Sequence, residues 1–338
     1  MPEELSRREG SFRAFVAQRG PEGFSRGVQE VRGSDLEAAE LLVEVRYCGL
    51  NYKDALASSA AGKVARVDRL IPGIDLAGTV LESSDPAFPP GTEVIGGGAG
   101  LGVSHHGGCA QLASLPSEWA VALPAGITAF EAMSLGTAGL TAAMCISAIE
   151  ERGIGPESGT LVVSGATGGV GSIAVCLAAH RGYEVAAITS KPKASAWLES
   201  LGASVVLGKE QFSDIPPKAL ERERFAAAVD VVGGGVLASI LAATRRRGVV
   251  TACGMAGGAE VPTTVFPFIL RGVSLVGIDS AGLSRSERAS LWSRLAGDLC
   301  PGNLAGITER IGLSQVEDVL ERMLAGGSRG RVVVDLSL

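Results

Sequence analysis

A chain of 338 residues is longer than one ordinary core supports, so two domains are expected. It is 46% hydrophobic and 20% charged with 47 glycines, the balance of a globular enzyme with many tight turns. The net charge of −6 argues against nucleic acid or an anionic membrane as the main partner.

The opening MPEELSRREGSFRAF has no apolar centre, so no secretory signal is expected. No run reaches the roughly 18 apolar residues of a membrane span. The six cysteines have no Cys-x-x-Cys spacing, which disfavours a structural zinc clip and points to a reduced, cytoplasmic protein.

Residues 1–135 hold short strand-like runs, among them LLVEVRY, LAGTVLE, TEVIGG and AQLASL, broken by IPGID, DPAFPPG and LPAG. That pattern predicts a β-rich domain. Within it, YCGLNYKDAL (47–56) sets Cys48, Asn51, Tyr52, Lys53 and Asp54 within seven positions. A metal site, a nucleophile site and a positioning loop are all open readings there; Lys53 and Asp54 could form a local ion pair. Lys63, Arg66 and Arg69 follow in GKVARVDRL, as a solvated face or as ligands for substrate phosphates. The adjacent His105 and His106 would point to opposite sides of a strand, which disfavours shared ligation.

The regime changes near Gly136, where EAMSLGTAGLTAAMCISAIEER has helical spacing. From Thr160, apolar strands alternate with helices, which predicts a parallel sheet covered on both faces. The strongest local signal is LVVSGATGGVGSIAVCLAAHRGYEVAAITSK, residues 161–191. Gly165, Gly168, Gly169 and Gly171 lie between strand and helix, a variant of the dinucleotide-binding turn. Glycine lets a diphosphate approach the backbone, and the helix N-terminus offers free N–H groups and partial positive charge. The second strand ends in Thr189, Ser190 and Lys191, with Lys193 beyond, and has no carboxylate there. Hydroxyls and cations suit a 2′-phosphate, so NADPH is expected over NADH. Arg245, Arg246 and Arg247 follow the helix VLASILAAT and are expected to cap its C-terminal dipole. VSLVGID (273–279) reads as an apolar edge strand, and pairing across it would give a homodimer. SRSERASLWSRLAGDL reads as a helix and GRVVVDL as a closing strand.

IPGIDLAGTV (71–80), GTAGLTA (136–142), SGATGGVGS (164–172), SLGAS (200–204), PTTVFPFILRGVSLVGIDS (262–280) and GRVVVD (330–335) occur in the order found in medium-chain dehydrogenase/reductases. NYKDALA, ACGMAGG and PFILRGVSLVGIDS resemble the zinc-free acrylyl-CoA reductase/quinone-oxidoreductase-like group. The resemblance runs from about residue 40 to the end. It implies an α/β fold: a GroES-like β-rich catalytic domain over 1–135 and 281–338, and a doubly wound parallel-sheet (Rossmann) NADPH-binding domain over 136–280.

The zinc relatives place a Cys-His pair where this chain has Asn51-Tyr52, and Gly-His-Glu where it has Gly73-Ile74-Asp75. An amide and an aliphatic side chain replace thiolate and imidazole, so no metal is expected. The resemblance then implies hydride transfer to the β-carbon of an activated double bond: a 2-enoyl thioester, with an enone or quinone as the alternative and a non-catalytic NADPH-binding protein as the third reading. Tyr52 and Asn51 are the implied catalytic donors, with Tyr52 as proton donor or as a contact that positions the nicotinamide. Implied cofactor contacts are Tyr52, Thr167, Gly168, Gly169, Val170, Thr189, Ser190, Lys191, Met255, Ile269, Ser280 and Arg331. For Met255 and Ile269 core packing is an equal reading; for Arg331, a surface charge. In the segment GGGAGLGVSHHGG (96–108), Ala99 and His106 stand where the relatives carry tryptophan. A reshaped pocket mouth is expected, open to enoyl thioesters larger than acrylyl-CoA.

Overall fold

The computed structural model describes residues 10–212 and 218–338. Residues 1–9, on which the expectation about a secretory signal bears, lie outside the described residues. The chain divides into two compact units. The first is residues 1–137, 281–297 and 308–338; the second is 138–280 and 298–307. The short return of 298–307 to the second unit differs from an uninterrupted C-terminal return. One tie is the indole of Trp197, which donates to the Gly306 carbonyl at 2.9 Å.

The first unit opens with an antiparallel hairpin, β1 (Ser11–Gly20) and β2 (Gly23–Arg32). Then come β3 (Leu41–Leu50), β4 (Arg69–Leu70), β5 (Asp75–Ser83), β6 (Glu93–Gly97), β7 (Leu112–Leu115) and β8 (Ala120–Ala122). Strand β4 joins the hairpin in the order β2-β1-β4. The apolar run behind β3 explains its central place: Leu41, Leu42, Val43, Val45, Cys48 and Leu50 are all buried.

Helix Ala129–Glu150 is long and apolar enough by composition to cross a membrane, which corrects the expectation that no segment reaches that length. Its most apolar stretch is 83% buried within the protein. The helix is broken at Gly136, whose φ of 52° and ψ of −155° are not helical. It is a core helix with a built-in turn.

The second unit is a six-stranded parallel sheet of β9 (Leu161–Val163), β10 (Val185–Thr189), β11 (Val205–Gly208), β12 (Phe225–Asp230), β13 (Thr244–Ala252) and β14 (Ser274–Gly277). The order β11-β10-β9-β12-β13-β14 is that of a doubly wound dinucleotide fold. Every residue of β9, β10 and β12 is buried, as a sheet covered on both faces requires. The order reverses between β9 and β12, so the crevice beyond their C-terminal ends is the switch point where ligands bind.

The three arginines at 245–247 do not cap a helix. They begin β13, and Arg245 donates to the Ser158 carbonyl. The guanidinium at the end of helix Gly234–Ala243 is Arg271, which donates to the carbonyls of Ala242 and Thr244 at 2.8 and 3.0 Å. Strand β14 is an edge of the sheet and is largely exposed.

The chain then returns to the first unit. Helix Arg285–Leu295 starts on a Ser284/Glu287 capping box. Strands β15 (Thr308–Gly312) and β16 (Arg331–Asp335) complete a seven-stranded sheet, ordered β15-β16-β3-β5-β6-β8 with β7 also on β3. Both β16 and β5 run antiparallel to β3, with Val332 opposite Leu50 and Leu76 opposite Cys48. The end of β3 therefore meets the beginnings of β5 and β16, and this edge collects Asn51, Asp75 and Arg331.

Candidate active site

Helix Tyr52–Ala57 begins immediately after β3, with Asn51 as its N-cap. Asp54 supplies the reciprocal contact, its Oδ2 accepting the Asn51 N–H at 2.7 Å. Its Oδ1 accepts the N–H groups of Gly73 and Ile74 at 3.0 and 2.9 Å. Asp54 is buried and turns inward, whereas Lys53 is exposed, so the local ion pair read from the sequence is replaced by a carboxylate tying two loops together. Burial pushes Asp54 up to about 7, against the pull of its three N–H donors.

The Asn51 amide is fully engaged with the protein. Its Nδ2 donates to the Gly49 carbonyl at 3.0 Å and to Asp75 Oδ2 at 2.7 Å, and its Oδ1 accepts from Arg331 Nη1 at 3.0 Å. Both amide protons are used, so the direct hydrogen-bond donor role expected of Asn51 is corrected to a positioning role. Asp75 also accepts from the Thr137 N–H and hydroxyl at 2.8 and 2.6 Å. A Cβ on Gly136 would lie 2.5 Å from Asp75 Oδ2, so glycine is needed at that turn for space as well as for its positive φ.

Arg331 is 2% exposed. It donates to the carbonyls of Ser134, Leu50 and Met133 as well as to Asn51, and lies 3.9 Å from Asp75. Burial lowers its pKa, and the charges of Asp75 and Asp54 oppose that. The guanidinium is committed inside the first unit. This corrects both readings of Arg331, as cofactor contact and as surface charge.

Tyr52 has the opposite character. It is 54% exposed, and its hydroxyl has no hydrogen-bond partner among the described residues. Cys48 packs at the strand end, its Sγ 3.5 Å from Cys109 Sγ, and the shared hydrogen bond and burial push its thiol well up. It is no nucleophile in this setting.

The second unit carries the nucleotide cradle. Gly165 follows β9 with φ 55°, and a Cβ there would lie 2.5 Å from Val231 Cγ2 at the end of β12. A Cβ on Gly171 would lie 2.4 Å from the Gly165 carbonyl oxygen, so the helix Gly169–His180 can seat against the turn only with glycine there. A Cβ on Gly168 would meet only the Gly165 oxygen at 3.4 Å, and Gly168, Gly169 and Val170 are half-exposed. The helix's first-turn N–H groups start at this turn, which is the anion-binding geometry a diphosphate needs. Ser164 and Asp230 stiffen the floor: the Ser164 hydroxyl donates to Asp230 Oδ1 at 2.6 Å, and Asp230 Oδ2 accepts the Gly233 N–H at 2.7 Å. The cradle fits a dinucleotide.

Thr167 and Thr189 share a hydroxyl contact at 3.5 Å, and Thr189 Oγ1 accepts the Lys191 N–H at 3.0 Å. Thr189 thereby shapes the turn that carries Ser190, exposed, and Lys191, half-buried. Met255 and Ile269 are 71% and 68% exposed, so neither packs in the core. Ser280 accepts from the Thr141 hydroxyl at 2.8 Å.

His105 makes only an isolated bridge to Leu101 and His106 lies outside regular structure, so the two do not share a strand. His106 Nδ1 accepts the Ile71 N–H at 3.2 Å, and burial lowers its pKa. His105 stands edge-on to Trp119, ring centroids 5.2 Å apart. Sequence reasoning gave Asp54 and Asp75 no part in the site and passed over Thr137. For Asp54 the signal was its position three residues after an Asn N-cap.

The residues where a zinc would be held do not fit one. Asn51 and Asp75 are spent on protein donors and acceptors, Ile74 has no ligand atom, and the guanidinium of Arg331 already faces Asp75. No group of three or more metal-ligating side chains occurs among the described residues.

The description "Alcohol dehydrogenase GroES-like domain" matches residues 37–125, and "Zinc-binding dehydrogenase" matches residues 169–296. The chain is 44% identical over 326 residues to the putative quinone oxidoreductase YhfP of Bacillus subtilis, covering 96% of this chain and 99% of that protein. The crystal structure of yhfP with NAD bound superimposes with a TM-score of 0.94, covering 97% of this chain and all of the other. Identity to the probable acrylyl-CoA reductase AcuI of Escherichia coli is 44% over 310 residues, covering 92% of this chain and 95% of that protein. The yhdH oxidoreductase of Salmonella enterica in complex with NADP is 42% identical with a TM-score of 0.93, covering 96% of this chain and 99% of the other.

Proposed function

This chain belongs to the medium-chain dehydrogenase/reductase family, and from that premise we propose that it is an NADPH-dependent oxidoreductase that reduces an activated carbon–carbon double bond, that of a 2-enoyl-CoA thioester, without zinc. The observation that carries the reading is the clamped Asn51 amide between Arg331 and Asp75. Where a Lewis acid would polarise a carbonyl, this chain has a saturated hydrogen-bond network, so its substrate must be electrophilic already. An enoyl thioester is.

NADPH supplies the hydride, delivered to the β-carbon. The turn Gly165–Gly171 binds the diphosphate, and Ser190 and Lys191 take the 2′-phosphate on the turn that Thr189 shapes. Met255, Ile269 and Ser280 line the cofactor as exposed or half-exposed contacts of the second unit. The negative charge that develops on the thioester oxygen needs a donor, and the α-carbon needs a proton. The unengaged Tyr52 hydroxyl is the group of this chain suited to either task or to holding the nicotinamide. The small Ala99 and the inward His106 favour enoyl chains longer than acrylyl.

A second reading, quinone or enone reduction, is favoured by the identity to YhfP and uses the same hydride path. The discriminating measurement is NADPH oxidation against a panel of enoyl-CoAs, enones and quinones, with NADH as control. Turnover of quinones alone would replace the first reading by the second. No turnover of any activated alkene or quinone would leave an NADPH-binding protein. Equal use of NADH would remove the 2′-phosphate assignment.

The protein is further proposed to work in the cytoplasm as a homodimer. All six cysteines are free thiols, and the exposed edge strand β14 offers unpaired backbone to a second copy. A monomer by light scattering would refute the dimer.

A further inference from the structure

We propose that Lys63, Arg66 and Arg69 form the seat for the phosphate groups of the coenzyme A thioester; this inference rests on the enoyl-CoA reading above. The net charge of the chain is −6, yet residues 63–69 carry three cations against the single carboxylate of Asp68. Lys63 and Arg66 are exposed and Arg69 is half-buried. None of the three has an ion-pair partner among the described residues. Other arginines of the same unit are neutralised: Arg26 by Glu317 and Glu321, Arg285 by Asp85, Arg322 by Glu309. A local excess of unpaired cations on an anionic protein raises the concentration of an anionic ligand there.

The segment is also held in place. Arg19 donates through its side chain to the carbonyls of Ser59, Ala60 and Gly62, just before the segment, each at 2.8 Å, and through its backbone N–H to the Asp68 carbonyl at 2.7 Å. Arg26 donates to the Ser58 carbonyl at 3.0 Å. The Arg66 N–H donates to the Val103 carbonyl at 2.9 Å, fastening the segment to the 96–108 loop. Arg69 lies near enough to His106 to oppose its protonation. The cations are thus presented on a fixed backbone that follows the Tyr52 helix and borders the loop whose tryptophans are missing. A preorganised cationic seat loses less entropy on binding than a mobile one. A coenzyme A thioester suits this layout, because its pantetheine arm carries the reacting carbon far from the 3′-phosphate and the diphosphate. Guanidinium and ammonium groups are the side chains that bind such oxygens.

The test compares kcat/KM for a 2-enoyl-CoA with that for the same acyl group on pantetheine, which lacks the phosphates. The wild-type ratio is expected to favour coenzyme A by at least about tenfold, and Lys63→Ala with Arg66→Ala to lower it by about tenfold. The NADPH KM should not move, which separates this seat from the 2′-phosphate site. A wild-type ratio near one, or a ratio undiminished in the double variant, overturns the seat while leaving the reductase reading intact. A rise in NADPH KM with an unchanged ratio assigns the cations to the cofactor and also overturns it. Turnover of neither thioester overturns the enoyl-CoA reading and the seat with it. If the double variant does not fold, added salt decides on the wild type: KM for the coenzyme A thioester must rise and that for the pantetheine thioester must not.

Discussion

Replacing Arg331 by methionine tests the central claim about the site. The guanidinium serves the carbonyls of Ser134, Leu50 and Met133 and the Asn51 amide oxygen, and faces Asp75 at 3.9 Å. Arg331→Met leaves these acceptors without their donor and Asp75 as a buried carboxylate without its cation. Removing one partner of a buried pair costs about 3–5 kcal/mol. That is a large part of the roughly 5–15 kcal/mol by which a folded domain is stable. Arg331→Lys keeps the charge but has three donors on a point centre, so about half that loss is expected. The assay is urea unfolding, read on the transition of the first unit if the two units melt separately. Combining Arg331→Met with Asp75→Asn removes the orphaned charge. The double variant should therefore be more stable than the two single losses add to, by at least about 1 kcal/mol. The NADPH-to-NADH preference should not change, because the guanidinium is spent inside the first unit. A single loss below about 1 kcal/mol, strict additivity, or a selective loss of NADPH affinity would each refute the reasoning.

Tyr52→Phe separates two roles: turnover lost with NADPH affinity kept assigns proton donation, whereas weaker NADPH binding assigns positioning. Steady-state kinetics with a fluorescence titration reads both. Gly171→Ala places a Cβ 2.4 Å from the Gly165 carbonyl and should weaken NADPH binding by more than about tenfold, with titration calorimetry as the check. Asp54 is held at about 7 against its ordinary 3.8, so the native state keeps a proton that the unfolded chain has released. As an acid with a raised pKa it loses stability as pH rises from about 4 to 7, by at most about 1.4 kcal/mol per pH unit. The difference between wild type and Asp54→Asn in urea midpoints across that range isolates it, and parallel profiles would exclude it. Restoring ligand types with Asn51→Cys and Ile74→His should still yield no stoichiometric zinc while Arg331 is present, because its cation occupies the charge position. Metal analysis after dialysis would show otherwise if that electrostatic argument fails.

The nucleotide-binding unit was legible because its signals are local. A glycine turn between an apolar strand and an apolar helix is written in about ten consecutive residues, and its geometry follows from the missing Cβ atoms of Gly165 and Gly171. The polar network of the first unit was not legible in that way. Asn51, Asp75 and Arg331 are separated by up to 280 positions, and the antiparallel pairing of β3 with β5 and β16 brings them together, with Thr137 added from the helix Ala129–Glu150. The resemblance identified what stands at the ligand positions and left open how those side chains are used. Arg331 looked like a contact or a surface charge, because an arginine in RGRVVVD carries no sign of burial. The arginines at 245–247 misled for a related reason. They follow a helix in the chain, but the backbone turns into β13 before their side chains reach its carbonyls, and Arg271 arrives from elsewhere to do so.

The same network explains why the loss of metal ligands need not leave a defective site. A zinc site concentrates positive charge at one atom and leaves a coordination position open to substrate. Here the positive charge is delocalised over a guanidinium whose donors point to protein oxygens, and a carboxylate stands beside it. Nothing in that set is free to polarise a substrate, so the network acts as scaffold: it fixes the end of β3, and hence the N-terminus of the helix on which Tyr52 is the first residue. What stays available at the start of that helix is the phenolic hydroxyl of Tyr52, without a hydrogen-bond partner among the described residues. A single neutral donor is weak assistance for reducing an unactivated carbonyl. It suffices where conjugation to a thioester or ketone already spreads the developing charge. The chemistry assigned to the chain thus follows from the occupied polar groups around the end of β3 and from the Tyr52 hydroxyl, which is not engaged there.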